Sequence, residues 1–389
     1  MNVFRRLSSR ALATLIAAVA AAGAIVAFTA VTAFGGGGST PAAEPLSQAV
    51  HDALTAAPVD GVTARISFSD NLLGSSALGI LGGSGSPLLS GASGRLWLTN
   101  DGHLRLELQS DAGDAQIVYD GANLTVYDSS SNTAYSLALP APAASATPGQ
   151  PPSLPEIDSA LTQLAGLADV SGATPGNVAG QPAYTVKVSP SANGGLVGGA
   201  ELSWDAITGV PLHFAVFAKG DSSAVLDLTA TDITYGAVPA SDVNISPPAG
   251  AKLVTLTLPN SGAGSAGSTP VTGLDAVAAA VPFKLAAPDT LDGLARGEVR
   301  LTGTSADPGA LVTYGEGLGT IAVSEHGADR PATGPLDQLP SVSIGAASGH
   351  ELVTALGTVL TFSSGGVSYT VAGSVTQADA EAAAHALTS

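Results

Sequence analysis

The chain has 389 residues, of which only 11% are charged, and a formal net charge of −18. Three of its 13 basic residues are Arg5, Arg6 and Arg10, so the rest of the chain carries three fewer positive charges, near −21. That balance argues against nucleic-acid binding, because phosphates would be repelled, and it is compatible with solubility outside a cell. The absence of cysteine excludes disulfides, thiol catalysis, Cys-based metal sites and a lipid-modified N-terminal Cys. With 48 Gly, 25 Pro and 4% aromatics, the filling residues are Ala, Val, Leu, Gly, Ser and Thr. This suits β-rich domains with long loops, and the length leaves room for two or three of them.

Residues 1–10 form a basic n-region, expected to lie in the cytoplasm by the positive-inside rule. Ala11–Phe34 follows, 24 residues without a charge. At about 1.5 Å per helical residue it is long enough for a hydrocarbon core of roughly 30 Å, and longer than the about 7–15 residues of a cleavable signal. The expectation is a single-pass transmembrane signal-anchor in the cell membrane. Cleavage near Ala42-Ala43, giving a secreted form, is the alternative. Arg5-Arg6 is a weak twin-arginine match and reads as n-region charge. Residues 35–45 are a linker, and everything beyond lies outside the membrane.

Leu46–Ala57 reads as a short helix, with Leu46, Ala49, Val50, Ala53 and Leu54 on one side. Val62–Ser69 is the first strand. Asn71–Gly91 is glycine-rich yet full of Leu and Ile, which is unusual for an exposed loop. It is either a lip over an apolar cavity or a loop tucked under the sheet edge. Gly94–Pro140 carries five short strands of period-2 alternation, divided by the turn signals Asn100-Asp101-Gly102, Asp111-Ala112-Gly113, Asp120-Gly121 and Ser131-Asn132. Leu104, Leu106 and Leu108 lie on one face, His103, Arg105 and Glu107 on the other. Such a meander has an apolar face that needs a cover: helices, a second sheet or a greasy ligand. Leu154–Ala168 is the natural one, an amphipathic helix with Ile157, Leu161, Leu164 and Leu167 in one stripe and Pro155 in its first turn.

Strands resume at Ala183–Val188, Ala200–Asp205, Leu212–Ala218, Val225–Tyr235 and Lys252–Leu258, with Thr208-Gly209-Val210-Pro211 as a turn. Residues 259–272 are a Gly/Ser linker and mark the domain boundary. Residues 273–389 read as a smaller α+β domain: a helix at Leu274–Ala280, strands near Val299–Gly303, Leu311–Tyr314, Thr320–Glu325, Ser341–Ile344, Val359–Ser363 and Val367–Ala372, and a last helix at Gln377–Leu387.

Several phrases, in their order, carry a resemblance: Gly94-Arg95-Leu96-Trp97, Leu104-Arg105-Leu106-Glu107, Ile117-Val118-Tyr119-Asp120-Gly121, Val126-Tyr127-Asp128 with Asn132-Thr133-Ala134-Tyr135, Gly180-Gln181-Pro182-Ala183-Tyr184, and Trp204 through Leu212. Over residues 46–258 the chain resembles the LolA/LolB-like lipoprotein carriers and the N-terminal domain of periplasmic sensors of the MucB/RseB type. The C-terminal part is similar to the small α+β domain appended in membrane-anchored actinobacterial relatives. The resemblance implies a fold that is mainly β with α (α+β): an unclosed antiparallel β-barrel lidded by helices, beside a smaller C-terminal α+β domain and an N-terminal transmembrane helix. It implies a hydrophobic groove for lipid or the acyl chains of lipoproteins, lined by Leu72, Leu73, Leu78, Ile80, Leu81, Trp97, Leu104, Leu106, Leu108, Ile157, Leu161, Leu164 and Trp204. It implies as the alternative an envelope sensor that regulates an anti-sigma factor or another membrane protein. A tethered form departs from soluble LolA shuttles: it could hold or sense cargo but not ferry it without release.

No catalytic set emerges. His51, His103, His213, His326, His350 and His385 are scattered without metal-ligand spacing, and no G-x-S-x-G elbow is present. The G-x-G-x-x-G match at Gly262–Gly267 lies in the linker, without a βαβ unit. Gly315–Gly319 reads as a hairpin turn. Asp111, Asp114 and Asp120 read as turn formers, with calcium as the other option. The expectation is a non-enzyme without cofactor or metal, whose partners are lipid or lipidated protein, the cytoplasmic membrane through residues 11–34, and a membrane protein. Full plugging of the sheet by its own helices, leaving an anchored scaffold, is the third reading.

Overall fold

A computed structural model describes residues 39–74, 86–111, 113–139, 151–256, 271–304, 307–328 and 339–388. The expected anchor at 11–34 and linker at 259–270 lie outside these residues. Among the described residues no helix is long and apolar enough to cross a membrane. The chain divides into two units: unit 1 takes Met1–Asn71, Ser84–Ser191 and Gly199–Thr257, and unit 2 takes Leu72–Gly83, Ala192–Gly198 and Leu258–Ser389.

Unit 1 is one open sheet. Its strands are β1 (Gly61–Asp70), β2 (Ala92–Thr99), β3 (Leu104–Ser110), β4 (Gly113–Tyr119), β5 (Asn123–Asp128), β6 (Thr133–Ala138), β7 (Ala168–Val170), β8 (Thr174–Val178), β9 (Gln181–Pro190), β10 (Val197–Asp205), β11 (Pro211–Ala218), β12 (Ala224–Tyr235) and β13 (Lys252–Leu256). They run in the order β13-β6-β5-β4-β3-β2-β1-β12-β11-β10-β9-β7, with β8 also on β9. β13 joins β6 in parallel, and neither end closes on the other, so the sheet is a half-barrel. The five-strand meander read from Gly94–Pro140 is β2 to β6. Its turns fall where the signals stood, with Gly102 at φ +87°, Gly121 at +89° and Asn132 at +45°, a region Gly and Asn enter at little cost.

The first helix stands where the sequence places it; the others differ from expectation. α1 (Leu46–Thr55) turns Ala49 and its neighbours onto Tyr184 and Trp204. α2 (Pro87–Ser90), inside the segment read as loop, packs on β1, β3 and β4. α3 (Leu154–Ala165) starts at a capping box in which the Glu156 carboxylate accepts from the Ser153 N–H (2.8 Å) and hydroxyl (2.7 Å). It stops at Gly166, short of Ala168, because Ala168–Val170 is drawn off to pair with β9. α3 packs against α1 and β7 and not over the meander, which corrects its assignment as the meander's cover. The one-turn α4 (Ala240–Val243) lies against β2 and β3.

Two glycines fix close approaches. A Cβ at Gly209 (φ +70°) would stand 2.5 Å from the Ala53 carbonyl oxygen, so α1 can seat on the β10–β11 turn. A Cβ at Gly94 would stand 1.9 Å from the Glu107 carbonyl oxygen. Gly94→Ala must therefore push β2 from β3, at a cost of about 1–3 kcal/mol. Both tryptophans, Trp97 and Trp204, are in unit 1, so the urea midpoint followed by their fluorescence reads this directly.

Unit 2 has an eight-stranded sheet in the order β14-β15-β16-β17-β21-β20-β19-β18. The strands are β14 (Thr290–Leu291), β15 (Leu294–Thr304), β16 (Asp307–Tyr314), β17 (Ile321–Gly327), β18 (Ser341–Ile344), β19 (Ala347–Thr354), β20 (Gly357–Ser364) and β21 (Val367–Gly373). α5 (Leu274–Ala280) packs on β15, and α6 (Gln377–Leu387) lays Ala380, Ala383, Ala384 and Leu387 on the sheet. Short Ala side chains let α6 approach closely, and its Thr376–Asp379 capping box satisfies the first-turn N–H groups. Two excursions from the first half of the chain complete the unit. Leu73 bridges to Thr354 and the Leu72 carbonyl accepts from Ala355 N–H at 2.9 Å. Asn193 accepts from Gly319 N–H at 2.9 Å through its carbonyl and donates its amide to the Glu316 carbonyl at 2.5 Å.

Candidate functional site

Alternation places one apolar face across unit 1, and the pairing turns it into rows. Tyr235, Val62, Leu98, Leu104, Tyr119, Leu124 and Leu137 lie side by side from β12 to β6, with Leu256 beyond on β13. The neighbouring row is Ile233, Ala64, Leu96, Leu106, Ile117, Val126 and Tyr135, then Val254. From β1 outward burial falls along the first row and, as far as Tyr135, along the second, whose last member Val254 is half-buried. Val62 is 2% exposed and Leu98 8%; Leu104, Tyr119, Leu124 and Leu137 are half-buried; Tyr135 reaches 37% and Leu256 44%. The gradient follows the covers: α2 reaches β1, β3 and β4, whereas among the described residues no helix packs extensively on β5, β6 or β13. The result is an apolar ladder that runs out from the core to an open sheet edge.

The residues expected to line a groove divide. Leu104, Leu106 and Leu108 belong to the apolar face, with Leu108 fully buried. Trp204 and Ile157 are buried, Trp204 against Tyr184 and Ala49 in the separate cluster under α1, with ring centroids 6.1 Å apart. Leu161 and Leu164 are half-buried on α3, away from the meander. Leu72 and Leu73 pair within unit 2, and Leu78, Ile80 and Leu81 lie outside the described residues. Trp97 sits between Leu96 and Leu98 and so points to the opposite, polar face, where it covers the Arg105 guanidinium at 4.8 Å. Alternation in β4–β6 alone places the further members Ile117, Tyr119, Leu124, Val126, Tyr135 and Leu137 on this face.

On the polar face, Arg105 also pairs with Glu107 and donates to the Asp242 carbonyl at 3.1 Å. His213 stands between Asp227 (3.0 Å) and Glu201 (3.6 Å), with Lys187 on Glu201 at 2.9 Å. No hydroxyl or thiol nucleophile is hydrogen-bonded to this histidine among the described residues, and no group of His, Asp and Glu there could hold a metal ion. The acidic turn residues cap backbone. The Asp120 carboxylate accepts from Ala122 N–H (2.9 Å) and Asn123 N–H (2.6 Å), which lowers its pKa. Asp101 is held down to about 2, mainly by the Thr99 hydroxyl and then by His103. Buried Asp205 accepts from Ile207 N–H (2.7 Å), Thr208 N–H (3.1 Å) and the Tyr235 hydroxyl, tying the β10–β11 turn to β12.

No protein-family model matches the chain, and no curated protein matches it. Among solved structures, MucB in complex with MucA(peri) is similar at 18% identity and a TM-score of 0.41, covering 87% of this chain and 94% of that one. The MucA/MucB complex of Pseudomonas aeruginosa is similar at 20% identity and a TM-score of 0.41, again with 87% and 94% covered. An uncharacterised conserved protein from Thermus thermophilus is similar at 10% identity and a TM-score of 0.33, with 54% and 97% covered.

Proposed function

We propose that this chain is a membrane-tethered, extracytoplasmic, non-catalytic binding protein that holds an apolar extracytoplasmic segment of a membrane-protein partner, as the resemblance to MucB/RseB-type sensors implies for an anti-sigma factor. The observation that carries the reading is the ladder: apolar side chains in register across β3–β6, progressively uncovered toward β13. Such a face has the composition of an interface core, and about 25 cal/mol is available for each Å² of apolar surface it buries. The edge favours a peptide. β13 has a neighbour only in β6 among the described residues, so its outer N–H and C=O groups can pair with an added strand, which an acyl chain cannot do. An acyl chain remains the second reading, because the ladder's aliphatic rows would accept CH₂ groups at about 0.8 kcal/mol each.

Photocrosslinking in the native membrane separates the two. A benzoylphenylalanine placed at Val126 faces the ladder, and one at Thr125 faces away. The expected result is a protein adduct at 126, mapping by mass spectrometry to the extracytoplasmic part of a membrane protein, and none at 125. Lipid adducts alone at 126 transfer the site to the acyl reading, and equal yields at both positions remove it from this face altogether.

A further inference from the structure

The polar face of unit 1 holds a second, independent feature. Arg65 on β1 and Arg95 on β2 are direct cross-strand partners. Like charges in that position repel, and the chain has only 13 basic residues against 31 acidic ones. Neither guanidinium makes an ion pair or a side-chain hydrogen bond among the described residues, in contrast to Arg105 beside them, which is occupied by Glu107, Trp97 and Asp242. Carboxylates are within the neighbourhood: Asp232 is Arg65's partner on β12 and Glu107 is Arg95's on β3. Glu107 is turned to Arg105, and Asp232 stays beyond ion-pair distance. Both arginines line a cavity of about 480 Å³ with Ser93, Thr231 and Gln109, and with Glu107, whose carboxylate is already taken by Arg105. Ile66 and Gly94 complete its lining.

We propose that this cavity is a binding site for a single phosphate group, carried by a small ester or by a lipid headgroup. Two planar guanidiniums can each hold a phosphate edge through paired N–H groups, the hydroxyls and amide supply further donors, and occupancy relieves the repulsion between the arginines. The next hollow, past Ser93 and Gln109, is bordered by Asp111 and Asp114. That acidic end rejects an extended polyanion and restricts the site to one phosphate.

The test uses the protein from residue 39 onward, wild type and Arg65→Gln/Arg95→Gln, with Lys219→Gln as an exposed charge control. Inorganic phosphate and glycerol 3-phosphate are titrated by ³¹P NMR, and flotation is measured with phosphatidylcholine vesicles with and without phosphatidic acid. The expected result is saturable phosphate binding that the double substitution weakens at least about tenfold, the scale of losing charge-assisted hydrogen bonds, while Lys219→Gln binds as wild type. Binding in the soluble arm identifies the group alone as sufficient; binding only to phosphatidic acid vesicles identifies the lipid as its source; either supports the site. No saturable binding in any arm, or equal binding by the double variant, or equal loss in Lys219→Gln, overturns it. The substituted side chains are exposed, and an unchanged melting curve separates loss of the site from loss of the fold.

Discussion

Glu325→Gln is expected to leave unit 2 as stable as wild type at pH 4–5 and to make it more stable by about 2–3 kcal/mol at pH 8. Glu325 is fully buried on β17, cross-strand from Tyr369 and on the same core face as Tyr314. Its Oε2 accepts from Ala286 N–H at 2.9 Å, while Oε1 and the Tyr314 hydroxyl are buried without a partner among the described residues. Burial raises its pKa from 4.5 to about 7, against the smaller downward pull of the Ala286 bond. Burial likewise raises Tyr314 and Tyr369, with Glu325 adding to both. Arg296 pulls the Tyr314 pKa slightly down and is itself paired with Asp289 at 2.9 Å and bound to the Ala287 carbonyl. Because the folded-state pKa is the higher one, Glu325 contributes stability that is full below about pH 4.5 and lost as pH rises through about 7. Gln keeps the size and the acceptor for Ala286 while having no charge to bury. Hydrogen exchange of the β16, β17 and β21 amides, read against pH in the full chain, measures this locally. Parallel pH profiles for wild type and variant would refute it.

Much of this architecture was legible in the sequence, for reasons that name their residues. Helices at Leu274–Ala280 and Gln377–Leu387 and the strand at Ser341–Ile344 stand where 3.6- and 2-residue periodicities placed them. The meander's turns obey Asn-Asp-Gly and Asp-Gly chemistry. What failed is long-range. β19 carries Glu351 inward, where Gln377, 26 positions later, donates to it, so its inward face does not read as apolar. Ala168–Val170 has three residues and becomes strand only because β9 offers an edge. Trp97 shows a different failure: the resemblance implies a groove liner, yet its place between Leu96 and Leu98 dictates the opposite face. The Arg65–Arg95 pair depends on the β1–β2 register, about thirty residues apart in the chain, and no local pattern announces it. The return of Leu72 and Leu73 to Thr354 and Ala355 is equally invisible to any window of sequence.

The gradient along the apolar rows predicts that stability and binding separate along the same face. Leu108 is 2% exposed, cross-strand from Gly94 and Ala115, in the part of the sheet that α2 closes. Leu108→Ala empties a site whose neighbours are already small, so the surrounding strands have little with which to refill it. The expected cost is about 2–5 kcal/mol, read as a lowered urea midpoint by tryptophan fluorescence, with partner capture retained by whatever fraction is folded. Val126, two strands further out, is half-buried between Ile117 and Tyr135, on a strand on which no helix packs extensively among the described residues. Val126→Asp there hydrates its carboxylate in the free protein, so the midpoint should move by no more than about 1 kcal/mol. In the complex that carboxylate would be desolvated without a partner, at a penalty of several kcal/mol, and capture of the membrane protein should fall by at least about a hundredfold. The two variants thus exchange phenotypes: one loses fold and keeps function per folded molecule, the other the reverse. If Val126→Asp unfolds unit 1, the outer ladder is core and not interface; if it folds and still captures the partner, the partner is held elsewhere.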